Sequence, residues 1–174
     1  MKTRILALAA AALFLAAFAA SAQTGTWTAV GSTGTVDPAM IGMAGVFGGT
    51  NIGFSPTFVT TPATLMVRFN VTNTFGGGMT DIMPWTTLEV GAVSTAGGSV
   101  VAATLYRVDR CTGRRTPICT ASNTSAGSSG FCVPCTFPAG TVNFGANLYY
   151  YYVEVMIGRP TTGGNPQLTT LRIF

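Results

Sequence analysis

The pattern of apolar and polar positions from residue 25 onward has period two. Leu65, Val67, Phe69 and Val71 alternate with Met66, Arg68, Asn70 and Thr72. Tyr149, Tyr151, Val153, Val155 and Ile157 alternate with Tyr150, Tyr152, Glu154 and Met156. Such alternation predicts strands with one face on a core and the other toward something more polar. Helical spacing is nearly absent. Short runs rich in Val, Thr, Phe and Tyr predict strands over Thr26–Val30, Thr64–Thr72, Thr86–Val93, Ser99–Val108, Pro117–Thr120, Phe131–Phe137, Leu148–Ile157 and Gln167–Phe174, with weaker ones at Gly45–Phe47 and Thr57–Thr60. Glycine clusters at Gly76–Gly78, Gly97–Gly98 and Gly163–Gly164 punctuate them as turns. The one helix-like start is Asp37-Pro38, a capping carboxylate before a proline, which Gly42 and Gly45 end within about two turns.

Short strands without crossover helices predict an all-β fold, an antiparallel β-sandwich of jelly-roll or Ig-like type with about eight to ten strands. Before them, Lys2 and Arg4, the apolar run Ile5–Ala20 and the small residues Ala20-Ser21-Ala22 have the three-part layout of a secretory signal peptide. The expected organisation is a signal over residues 1–22 and one exported domain over 23–174. The alanine-rich signal is of bacterial kind, which places the protein in the cell envelope or outside the cell. The expected mature chain has no transmembrane helix, since no later stretch is apolar over the ~20 residues a span requires.

Composition narrows the function. Hydrophobic residues make up 48% of the chain and charged ones 8%, against about 25% charged in an ordinary domain, so disorder is excluded. The chain has no histidine, and its one lysine is Lys2. Ser-His-Asp and Cys-His catalysis, histidine-bound metal and a lysine nucleophile in the mature chain are thereby removed. From residue 23 onward seven arginines face five carboxylates, a net charge of +2. Arg107, Arg110, Arg114 and Arg115 cluster around Asp109, but no basic stripe continues from them, and nucleic acid is not an expected partner.

Cys111, Cys119, Cys132 and Cys135 are an even set in an expected exported protein and predict disulfides. Cys111–Cys119 with Cys132–Cys135, and the nested Cys111–Cys135 with Cys119–Cys132, fit the spacing equally. Cys132-Val133-Pro134-Cys135 also spells a redox motif, but Thr136-Phe137-Pro138 after it cannot extend the helix that lowers a catalytic thiol's pKa. Cys111 and Cys119 are too far apart to complete a four-cysteine zinc site. No spaced acidic loop for calcium is present. No cofactor or metal is expected.

Asp37 reads as a cap and Asp109 as a partner for nearby arginines, while Glu89 and Glu154 fall on strands. Too few carboxylates remain to signal paired acid–base chemistry, and no enzymatic activity is expected. Trp27 and Trp85 read as core or turn-packing residues. The four consecutive tyrosines carry more information. With Tyr149 and Tyr151 on the core side, Tyr150, Tyr152 and Glu154 share the outer face, as a sugar-stacking platform or protein-contact patch. Cross-strand pairing on a covered sheet face is the alternative.

A surface so poor in charge invites three accounts. The main expectation is a non-catalytic structural or adhesive surface protein whose partner is another copy of itself, in a layer or filament. The alternative is a carbohydrate-binding module that holds cell-surface polysaccharide through Tyr150 and Tyr152. A small outer-membrane β-barrel is the third, supported by the terminal aromatic residue and opposed by Arg172, which shares a strand face with Phe174.

Overall fold

A computed structural model describes residues 25–73, 82–94, 98–123, 127–145, 148–161 and 164–174. The expected signal segment and the Gly76–Gly78 turn lie outside these residues. The strands are β1 (Trp27–Val30), β2 (Thr35–Val36), β3 (Ala44–Phe47), β4 (Asn51–Phe54), β5 (Ala63–Val71), β6 (Thr87–Ser94), β7 (Val100–Asp109), β8 (Arg115–Asn123), β9 (Gly127–Thr136), β10 (Tyr149–Arg159) and β11 (Gln167–Ile173). They form two sheets. The first runs β3-β4-β11-β6-β9, with β1 also paired to β11, and the second runs β2-β5-β10-β7-β8. Every strand pairing is antiparallel. The all-β antiparallel sandwich read from the sequence is the fold.

The alternating patterns become the core. In the second sheet β10 lies between β5 and β7, so Val153 stands opposite Phe69 and Leu105, Val155 opposite Val67 and Ala103, and Ile157 opposite Leu65 and Val101. All nine are buried, against Leu88, Val90 and Ala92 of β6 and Leu168, Leu171 and Ile173 of β11. Leu168 and Leu171 are three residues apart, which on a regular strand would put them on opposite faces. A register shift between Leu168 and Thr170 restores the alternation, and both reach the core.

Local departures from the sequence reading have physical reasons. Asp37 does cap a turn, its carboxylate accepting from the Ala39 N–H at 3.1 Å, but Pro38–Met43 is a 3-10 helix. Thr57–Thr60 is a loop rather than a strand; the carbonyls of Phe58 and Thr60 accept from the buried Arg159 guanidinium at 2.6 and 3.3 Å. The strand in this region is β4, obscured in the sequence by Gly53, where a Cβ would stand 2.7 Å from the Pro166 carbonyl oxygen. The β3–β4 turn uses Gly48 and Gly49 at φ of 58° and 78°, a region costly for other residues.

The closed membrane barrel does not form. The strands divide between two sheets that end at β8 and β9, and the enclosed space is filled by apolar side chains while Arg68 and Asn70 face outward. A membrane barrel requires the opposite arrangement, with its apolar band outside. Among the described residues no helix is long and apolar enough to cross a membrane.

The cysteines follow neither of the two pairings weighed above. Cys119 of β8 is bonded to Cys135 of β9, with Cα atoms 6.0 Å apart, and Cys111 and Cys132 are free and exposed. Strand periodicity explains this. Cys132 and Cys135 are three residues apart on β9 and face opposite ways: Cys135 packs with Phe131 and Val133 against the core, while Cys132 faces out. A local Cys132–Cys135 bridge and a Cys119–Cys132 bridge are thereby both excluded. The bond that forms ties the edge of one sheet to the edge of the other.

Tyr151 anchors the segment before β10. Its buried hydroxyl accepts from the Asn143 N–H at 2.9 Å and lies 3.1 Å from the Asn143 carbonyl oxygen. Its ring meets Phe144 edge-on at 5.2 Å, and Phe144 in turn meets the buried Trp85 at 6.4 Å.

Two outcomes follow from these anchors. Cys119→Ser should lower stability by about 3 kcal/mol, the value for a loop of roughly this length, whereas Cys111→Ser and Cys132→Ser should leave it unchanged; chemical denaturation of the three variants reads this. Burial pushes the Tyr151 phenol above its ordinary value, and the Asn143 hydrogen bond only partly opposes it. The folded state therefore keeps this proton to higher pH than the unfolded chain. The associated stability is fully present below about pH 10 and is lost as pH rises through the folded value. Tyr151→Phe should start about 1 kcal/mol less stable and show a flatter alkaline loss; an identical alkaline loss in both proteins would clear the phenol of this role.

Candidate functional site: the outer face of the second sheet

Because Tyr151, Val153, Val155 and Ile157 are buried, the residues between them on β10 must project outward. Tyr150 is 58% exposed, and among the described residues its side chain makes no hydrogen bond, ion pair or ring contact. Tyr152 is partly covered, since the register sets it opposite Tyr106 of β7. The two rings stack with centroids 5.2 Å apart and planes 20° apart. The outward placement of Tyr150, Tyr152 and Glu154 thus follows the sequence reading, and cross-strand pairing is also present, between Tyr152 and Tyr106.

Arg115 enters from β8. Its Nη1 donates to the Tyr152 hydroxyl at 3.1 Å, and its guanidinium lies 5.4 Å from the Tyr106 ring centroid. The same nitrogen is 3.7 Å from Glu154 Oε2. From the other side Arg68 of β5, opposite Glu154 in register, donates through Nε to that oxygen at 2.7 Å. Arg68 Nη1 also lies 3.9 Å from Asp37 Oδ2. The Arg115 guanidinium is held above its ordinary pKa first by its hydrogen bond to Tyr152, and that of Arg68 first by its bond to Glu154. Beside them the Thr104 and Thr120 hydroxyls are 2.9 Å apart across β7 and β8.

The face is therefore a row of tyrosine rings bordered by an Asp–Arg–Glu–Arg chain. The Arg68 and Arg115 side chains are 47% and 54% exposed. Glu154 beneath them is only 11% exposed, so the pairs of this network contribute somewhat more than a fully exposed pair, about 1–2 kcal/mol. Their further effect is orientation: each guanidinium is fixed by one or two partners and presents its remaining N–H groups to solvent.

The sequence marks Arg115 only as one of a cluster around Asp109 and Arg68 only as a polar-face residue, and it gives Tyr106 no role in a site. The alternation of Ala102, Thr104, Tyr106 and Val108 with Val101, Ala103 and Leu105 carries a signal for the outward Tyr106, but no sequence pattern sets the cross-strand register that places it on Tyr152. Glu89 lies on the other sheet, 3.4 Å from Arg172. Asp109, expected to pair with arginine, instead has its Oδ1 occupied by the Cys111 and Thr112 N–H groups and the Thr112 hydroxyl, at 2.8–3.0 Å. These bonds, with Thr112 foremost, hold its carboxyl below the usual range. No group of three or more metal-ligating side chains occurs among the described residues.

No family model matches the chain, and no curated protein matches it. Among solved structures it is similar to a carbohydrate-binding module described in complex with calcium and xylotriose, at 8% identity and a TM-score of 0.45, covering 85% of this chain and 99% of that one. It is also similar to a family 11 carbohydrate-binding module from Clostridium thermocellum, described in complex with a mixed-linked tetrasaccharide, at 9% identity and a TM-score of 0.45, covering 89% and 91%. A family two carbohydrate esterase from Cellvibrio japonicus aligns at 13% identity and a TM-score of 0.42; the match covers 85% of this chain and 33% of the esterase.

Glu154→Gln should remove the bridge between the arginines at a cost of about 1–2 kcal/mol. Its thermal midpoint checks this, and a larger loss would make the network a structural device rather than a surface one.

Proposed function

We propose that the protein is an exported, non-catalytic module that binds polysaccharide on the outer face of its second sheet. The observation that carries this reading is the outward row of Tyr150, Tyr152 and Tyr106, held on adjacent strands and bordered by Arg115, Glu154 and Arg68. Flat aromatic faces take the apolar C–H surface of a sugar ring, and neighbouring polar groups exchange hydrogen bonds with its hydroxyls. Strands hold such groups more rigidly than loops do, so little ordering entropy is lost when a chain of sugars lies across them.

Glu154 is engaged by two arginines and Asp37 by a turn and an arginine. This favours recognition over acid–base work, which needs a carboxylate free to take and release a proton. Export is supported by the basic, apolar and small-residue layout of residues 1–22 and agrees with a cross-linking disulfide. Self-assembly through strand edges has less support at the disulfide end. Pro117 lies in β8 and Pro134 in β9, the last strands of their sheets, and proline offers no N–H for a further ladder.

The test is affinity electrophoresis through gels containing neutral polysaccharides. One of them should retard the protein, and Tyr150→Ala and Tyr152→Ala should each weaken that retention by about tenfold, equivalent to ~1.4 kcal/mol. Stability at Tyr150 should change by less than about 0.5 kcal/mol. A protein that no such gel retards, or variants retarded like the parent, would refute the site.

A further inference from the structure

At the far end of the β7–β8 hairpin the second sheet carries a different chemistry. Arg107, Asp109, Thr112, Arg114, Thr116 and Tyr149 line a cleft of about 430 Å³, within the ~300–1,000 Å³ range of small-ligand sites. Its strand residues continue the inward register of the core: Arg107 follows Leu105 and stands opposite Tyr151, and Tyr149 stands opposite Asp109. Here the inward side of the sheet faces a solvent-accessible hollow with charged walls rather than packed apolar side chains.

The charges in this hollow are unbalanced. Arg68 and Arg115 share Glu154, and Arg172 has Glu89. Among the described residues Arg107, Arg110 and Arg114 form no ion pair. Asp109 is the one carboxylate nearby; its Oδ1 is held by the turn and its charge acts on Arg107, so three arginines face one negative charge and a positive excess remains. The Arg107 guanidinium lies 4.6 Å from the Tyr149 ring centroid, which fixes its plane and leaves its N–H edge free. Arg114 approaches from the turn, and Thr116 supplies a hydroxyl, that of Thr112 being engaged by Asp109 and the Arg114 N–H. Two planar cations, a ring and a hydroxyl around a sugar-sized hollow match a sugar that bears a carboxylate, because a guanidinium pairs with a carboxylate through two parallel hydrogen bonds.

We infer that this cleft binds a uronic acid residue, so that the preferred ligand is an acidic polysaccharide. The inference rests on the polysaccharide-binding reading above and names its substrate class. Arg114 and Arg115 are consecutive, one lining the cleft and the other touching Tyr152, so the hairpin edge joins the cleft to the tyrosine row.

The probe is polygalacturonate, with dextran sulfate as a polyanion of unrelated shape, measured by affinity electrophoresis of the full-length mature protein at about 150 mM salt, where diffuse charge attraction is screened beyond ~8 Å. Polygalacturonate should retard the protein more strongly than any neutral polymer, and Arg107→Ala with Arg114→Ala should weaken this by at least tenfold. Arg110→Ala, which removes an exposed charge from the same hairpin but not from the cleft lining, should change it by less than twofold. Neutral-polymer retention by the double variant should be unaltered. Should the double variant fail to fold, the exposed Arg114→Ala alone should still weaken acidic-polymer retention. Three results would overturn the inference: equal losses from Arg110→Ala and the cleft variants, dextran sulfate held as tightly as polygalacturonate, or no retention by polygalacturonate. Loss of the acidic-polymer effect with neutral retention intact would refute the cleft and leave the tyrosine face standing. Absence of all retention would refute both.

Discussion

Burial of every second residue on β5, β10 and β7 is the constraint on which the rest of the structure depends. Val153, Val155 and Ile157 are fully buried between equally buried neighbours, and each such side chain contributes about 1.5–3 kcal/mol relative to exposure. A slip of one residue would expose all three and bury Glu154 in their place. The outer-face ion pairs, worth about 1–2 kcal/mol, cannot oppose that. The core fixes the register, and the register assembles the outer face: Tyr152 meets Tyr106 and Glu154 meets Arg68 because of what is packed beneath them.

The same logic governs the edges. β8 and β9 end their sheets, carry Pro117 and Pro134, and are joined by Cys119–Cys135. The bond closes one side of the sandwich where the covalent link between the two sheets is otherwise the β8–β9 connection, and each proline leaves its edge strand one backbone donor short. A chain with little surface charge gains solubility from such blunted edges. Low charge is therefore compatible with a binding domain and does not by itself require an assembly.

Charge is also distributed unevenly. Glu154 and Asp37 together answer Arg68 and Arg115 on the tyrosine face, and Glu89 answers Arg172 on the other sheet. At the β7–β8 hairpin Arg107, Arg110 and Arg114 outnumber Asp109, beside a hollow that the core does not fill. An aromatic surface and a cationic cleft on one hairpin suit a long polymer better than a small molecule, since the two lie on opposite sides of the same strands.

The sequence by itself determined the strand character, the inward faces of β5 and β10, and hence the outward placement of Tyr150, Tyr152 and Glu154, because these depend only on period two and apolar burial. It determined the Asp37 cap for the same local reason. Tertiary structure decided what local pattern does not encode. The bulge in β11, the partners Tyr106, Arg115 and Arg68, the diversion of Asp109 from arginine to its own turn, and the loop at Thr57–Thr60 held by Arg159 all depend on which strands become neighbours. The disulfide belongs with the tertiary decisions: spacing left the pairing open, and only the placing of Cys132 and Cys135 on opposite faces of β9 and the meeting of β8 and β9 across the sandwich chose Cys119 with Cys135.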